Sequence, residues 1–170
     1  MGSPATTTKS MGRLMAIMAW LCFFALAGLF FNDFLEGKQD PNRSLVIDDS
    51  MRVELIRNQA GHYLAPGQIN GVDVTFLLDT GATYLSIPED IAERAGLRRG
   101  QQAAVSTANG RIRVFRTEID EVRLGGLQRQ RVAAFINPSE QGGVVLLGMS
   151  FLKYFQWRQI DDRLILTPQN

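Results

Sequence analysis

From about Ser50 onward the chain is written in short apolar runs, each broken by Asn-Gly, Gly-Gly or Asp-Asp. Runs that short, separated by turn formers, leave no room for long helices and favour strands joined by tight turns. His62 to Ile69, Asn70-Gly71 and Val72 to Leu78 read as one hairpin. Ala103 to Thr107 and Ile112 to Thr117, flanking Asn109-Gly110, read as a second. Glu118 to Leu124 and Leu127 to Ile136, around Gly125-Gly126, read as a third. Val144 to Leu147 is a wholly apolar strand, and Gln156 to Ile160 with Arg163 to Leu166 meet at Asp161-Asp162. Ser86 and Glu89 have capping-box spacing and Gly96 stands at a helix C-terminus, so Pro88 to Ala95 reads as a short helix. A second brief helix is expected from Gly148 through Tyr154. The pattern predicts a mainly β domain, barrel or sandwich, with two brief helices.

Ahead of this domain, residues 14–31 form an 18-residue run without a charge, long enough to span hydrocarbon as a helix. Lys9 and Arg13 precede the run, whereas Asp33, Glu36 and Asp40 follow it with only Lys38 for balance. That asymmetry puts a short tail, residues 1–13, inside the cell and the rest of the chain outside. Ala25-Leu26-Ala27 resembles a signal-peptidase site, so a cleaved leader is the competing reading. Either way the domain crosses the membrane. Residues 32–49 are polar, contain Gly37 and Pro41, and read as a linker to a domain at 50–170. Asn42-Arg43-Ser44 is a glycosylation sequon, which matters only in a eukaryotic secretory route.

Composition narrows the chemistry. Lys+Arg 18 against Asp+Glu 17 gives +1, no field to recruit nucleic acid. One cysteine, Cys22, cannot make an intramolecular disulfide, and one histidine, His62, cannot supply a His-rich metal site. No metal and no cofactor are expected. A Ser-His-Asp triad would depend on His62, which reads as a half-buried strand residue. Tyr154, Phe155 and Trp157 read as core. Arg111, Arg113 and Arg116 read as a solvated hairpin face, with a possible bias toward acidic peptides.

The informative run is Phe76-Leu77-Leu78-Asp79-Thr80-Gly81-Ala82-Thr83, where an apolar strand ends in a carboxylate, a hydroxyl and a glycine. By itself this describes a strand end closed by turn residues. Followed downstream by Val145-Leu146-Leu147-Gly148, it resembles the retropepsin-like aspartic proteases, over roughly Gly61 to Pro168. Among these it is similar to the bacterial membrane-anchored members. The resemblance implies a closed β-barrel half, equivalent to a single pepsin-type lobe, with one or two short helices. It implies Asp79 as the catalytic residue of an aspartic endopeptidase, with Thr80, Gly81, Ala82 and Thr83 as its loop. Thr107, Ala108, Asn109 and Gly110 match the tip of a substrate-binding flap. Leu146, Leu147 and Gly148 match the segment that braces the catalytic loop.

Such hydrolysis needs two carboxylates sharing one proton around a water. The chain carries one Asp-Thr-Gly, so the second carboxylate is expected from a second copy, in a homodimer acting on polypeptide. One departure stands out. Retroviral members follow the late glycine with Arg and then Asn or Asp, which tie the dimer together. This chain has Met149 and Ser150. The alternative is therefore a catalytically silent binding or dimerisation module tethered to the membrane.

Overall fold

The computed structural model of the chain describes residues 15–28, 40–43, 51–107, 110–140 and 142–169. They belong to two units, Met1–Gln39 and Asp40–Asn170. In the first, residues 15–28 form helix α1, whose apolar side chains are exposed; Trp20 stacks on Phe24, and Phe23 meets both rings edge-on. Among the described residues no helix is long and apolar enough to cross a membrane. The 1–13 tail, the ends of the 14–31 run and most of the 32–49 linker lie outside the described residues.

The second unit is mainly β. Its elements are β1 (Val53–Ile56), β2 (Leu64–Ile69), β3 (Val72–Leu78), β4 (Leu85–Pro88), α2 (Glu89–Arg94), β5 (Gln102–Thr107), β6 (Gly110–Leu124), β7 (Leu127–Asn137), β8 (Val144–Leu147), α3 (Met149–Leu152), β9 (Phe155–Ile160) and β10 (Arg163–Pro168). One sheet runs β2-β3-β8-β4-β7-β6-β5, and β2 also pairs with β6. The sheet therefore closes into a six-strand barrel, with β5 left outside the ring on the edge of β6. The closing seam is short: Gln68 faces Arg123 and Ile69 faces Val122. Beyond it the Asn70 N–H donates to the Glu121 carbonyl, and Glu121 N–H donates to Asn70 Oδ1. A second sheet, β1-β10-β9, is antiparallel throughout.

One apolar core serves both sheets. Phe76, Ile69, Leu85, Ile119, Ile136 and Leu147 from the barrel are fully or almost fully buried, as are Leu55 and Leu166 from the smaller sheet. Removing a side chain such as Phe76 from water contributes about 1.5–3 kcal/mol. Strict alternation along β2, with Ala65, Gly67 and Ile69 inward, shows the period of two that builds a barrel wall.

Several expectations are corrected here. The second and third hairpins share one unbroken strand: β6 runs from Gly110 to Leu124, pairing first with β5 and then with β7. Nothing at Thr117-Glu118 favours a turn, so the strand has no reason to stop there. Ser86 is not a helix cap. It lies in β4, its hydroxyl bonds Glu140, and α2 starts from Pro88 with no side-chain cap. The C-terminal half of that expectation holds, since Leu97 N–H reaches the Ala92 carbonyl and Gly96 N–H that of Glu93, a Schellman closure. Helix α3 stops at Leu152, short of Tyr154. His62 is exposed ahead of β2, and Trp157 (50% exposed) and Tyr154 (38%) are not core, although Phe155 is.

Asn42, placed in the linker by sequence, is only 3% exposed. Its Nδ2 donates to the Ile56 and Leu64 carbonyls, and its Oδ1 accepts from Ile56 N–H. It clamps the end of β1 to the start of β2. The sequon nitrogen is thus occupied in the folded domain.

Candidate active site

Asp79 is the first residue beyond β3. That strand runs parallel to β8, with Leu78 opposite Leu147, and the pairing is extended by Asp79 N–H donating to the Leu147 carbonyl at 3.2 Å. The chain then turns tightly, Ala82 N–H returning to the Asp79 carbonyl at 3.2 Å. Gly81 N–H donates to Asp79 Oδ1 at 2.8 Å, which aims the carboxylate from its own loop. Asp79 is half-buried, and Thr80, Gly81 and Thr83 are exposed.

The loop is held from below by the segment after β8. Met149 N–H donates to the Ala82 carbonyl at 2.8 Å and Ser150 N–H to that of Thr83 at 2.9 Å. Leu85 N–H donates to Ser150 Oγ at 3.2 Å. Gly148 is required by this close approach: a Cβ there would lie 2.5 Å from the Tyr84 carbonyl oxygen and 2.7 Å from that of Ala82. Met149 and Ser150, at the positions where the resemblance implies Arg and then Asn or Asp, thus brace the chain's own Asp79 loop. Leu147 contributes its carbonyl and a fully buried side chain, whereas Leu146 faces the groove.

That groove has a volume of about 930 Å³ and is bordered at one side by Asp79 and residues 81–84. Its opposite wall is the β5–β6 arm, through Ala104, Val105, Ser106, Thr107, Ile112 and Val114. The arm closes at Thr107 opposite Gly110, with Thr107 Oγ1 donating to the Gly110 carbonyl. Ala108 and Asn109, the expected flap tip, lie outside the described residues. Arg111 and Arg113 are exposed and alternate with the groove-facing Ile112 and Val114, so these two lie on the reverse face. Arg116, also exposed, has the parity of Ile112 and Val114 but is not among the groove's lining residues.

Sequence reasoning missed the rest of the lining. Tyr84 packs edge-on against Phe135, with centroids 4.9 Å apart. Ser86, Asn137, Ser139 and Glu140 complete the far end. Ser86 and Glu140 are 54 positions apart, so only the β4–β7 pairing brings them together. Asp79 also borders a smaller cavity of about 190 Å³, with Thr80, Leu152 and Trp157 among its walls. Among the described residues no cluster of His, Cys, Asp and Glu could hold a metal ion.

A closed single-lobe barrel with one Asp-Thr-Gly loop beside a peptide-sized groove defines the retropepsin-like aspartic protease class. The chain belongs to the family described as "gag-polyprotein putative aspartyl protease", whose model matches residues 65–154. It is 31% identical over 153 residues to an uncharacterized protein in the cobV 5′ region of Sinorhizobium sp., a match covering 86% of this chain. The chain spans 65% of the length of that relative. Among solved structures it is similar to a retropepsin-like aspartic protease from Rickettsia conorii. The TM-score is 0.55 at 24% identity, covering 69% of this chain and 90% of that one.

Proposed function

We propose that the chain is a membrane-anchored aspartic endopeptidase whose water is activated between Asp79 of one copy and Asp79 of a second. The observation that carries the reading is Asp79 itself, a carboxylate fixed by its own loop at the border of a groove of peptide size. Two carboxylates about 3 Å apart cannot both ionise comfortably, so the pair holds one shared proton. One oxygen then takes a proton from water while the other protonates the leaving nitrogen. Thr80, exposed beside Asp79, would tie the two loops together, and Gly81 keeps the loop clear of substrate backbone.

Two features support a homodimer. The edge of β9 pairs with no other strand among the described residues, and its residues 156–160 are exposed. Trp157 of that strand and Thr80 share the smaller cavity beside Asp79. Unpaired edges of this kind are templates for association. The exposed apolar surface of α1 supports the anchor at residues 14–31, with the N-terminus inside and the domain on the periplasmic side of the inner membrane. An anchor also concentrates copies in two dimensions, aiding a dimer without the Arg contact.

The binding-module reading draws on Met149 and Ser150. One experiment separates the two: cleavage of a peptide library by the full-length chain in lipid, from about pH 3 to pH 8, beside Asp79→Asn. Cleavage that vanishes in the variant and falls per mole on dilution supports the dyad. Unchanged cleavage by Asp79→Asn removes the assignment, and no cleavage at any density leaves the binding module.

A further inference from the structure

We infer that Glu140 determines specificity, selecting a peptide with a basic side chain in the far end of the groove; the inference rests on the protease reading above. Glu140 follows β7, and its carboxylate is fixed through one oxygen only. Ser86 Oγ donates to Oε2 at 3.1 Å and Asn137 Nδ2 donates to the same atom at 3.2 Å. Asn137 is itself 8% exposed, and its Oδ1 is held by Ser139 N–H at 3.1 Å. The carboxylate is therefore aimed by a buried amide and a strand hydroxyl. Among the described residues Oε1 accepts no hydrogen bond and no cation pairs with Glu140.

The charge lining the groove is one-sided. Of its described lining residues only Asp79 and Glu140 are charged. The sequence neighbours outside the described residues, Ala108, Asn109 and Gln141, are uncharged. Of the arginines on the β5–β6 arm, which by sequence suggested acidic substrates, Arg111 and Arg113 lie on the reverse face, and Arg116 is not among the groove's lining residues. A preorganised carboxylate oxygen in a partly desolvated groove favours a guanidinium or ammonium over a neutral isostere, because a charge-assisted hydrogen bond is the stronger kind. Ser86 and Tyr84 line the same groove, whose volume of about 930 Å³ accommodates the stem of a long side chain.

The test uses the full-length chain in lipid and peptides identical except at one position, which carries Arg, its neutral isostere citrulline, or Glu. Each peptide is made cleavable for kcat/KM and as a reduced-amide form for binding by fluorescence polarisation. Arg over citrulline is expected to gain about tenfold in both readouts, with Glu below citrulline. Glu140→Gln should bring Arg and citrulline within about twofold, and Glu140→Lys should invert the order of Arg and Glu. Wild-type preference for Glu, or an Arg-to-citrulline ratio unmoved by Glu140→Gln, overturns the subsite. Cleavage unaffected by Asp79→Asn overturns the protease reading instead. Arg-selective binding without cleavage, abolished by Glu140→Gln, keeps the subsite and removes the protease.

Discussion

The two walls of the groove are built in opposite ways. The Asp79 wall is tied down by backbone: Asp79 to Leu147, Met149 to Ala82 and Ser150 to Thr83, with Gly148 pressed between carbonyls. Of the β5–β6 arm, β5 stands outside the barrel ring, with a single strand partner and no fully buried residue. Elements with few buried contacts open locally at low cost, while core-braced elements open only with the whole domain. On the proposed function, the molecule fixes the group assigned the chemistry and holds more lightly the wall that would admit a peptide. Lids and flaps are drawn from that low-stability end in general.

That contrast can be broken at either wall. Asp79→Asn should lower cleavage by about a thousandfold or more while thermal unfolding stays put, since the carboxylate is half-buried and only its own loop holds it. A large loss of stability instead would make Asp79 a structural residue. Gly148→Ala attacks the bracing: its Cβ has only backbone carbonyls to displace, so denaturant unfolding should lose about 2–4 kcal/mol and cleavage should fall with it. An unchanged midpoint would show that the braced wall gives as readily as the arm. Ile112→Ala, on the arm, should raise KM several-fold and cost less than about 1.5 kcal/mol, because Ile112 is only half-buried. Equal losses from the glycine and the isoleucine would erase the distinction.

The smallest effect lies away from the groove, where Glu54 of β1 pairs with Arg163 of β10. The hydrogen bond from Arg163 holds the Glu54 carboxyl below its ordinary value, so the ionised form is favoured in the folded state. Its contribution is present at neutral pH and disappears as pH falls through that lowered value. The pair is on the surface and screened by solvent, so Glu54→Gln should only flatten the acid limb of the stability profile. A shift as large as that of Gly148→Ala would mean the small sheet is a second braced region.

Much of this was legible beforehand because it is local. Asn70-Gly71 forces its turn, with both residues at positive φ, and Asp161-Asp162 joins β9 to β10. The Asp79 loop announces itself by an apolar run ending in polar turn formers. What escaped was non-local or too short to carry a period. Strand β4 has four residues and is fixed by neighbours on β7 and β8, so Ser86 looked like a helix cap. Glu140 carries no motif signal of its own, and only its distant partner Ser86 ties it to the groove. Arg111 and Arg113 were visible as charges, but their face depends on register, which one residue's slip would reverse.

The short seam that shuts the barrel carries a kinetic consequence. Glu121 and Asn70 meet across 51 positions of chain, whereas each hairpin joins neighbours. Closing a long loop costs entropy before any contact returns it, so the hairpins can assemble early and the ring only late. Pulse-labelled refolding should find the Asn70 and Glu121 amides protected after those inside β2–β3 and β6–β7; simultaneous protection would mean that the ring and its hairpins form in one event.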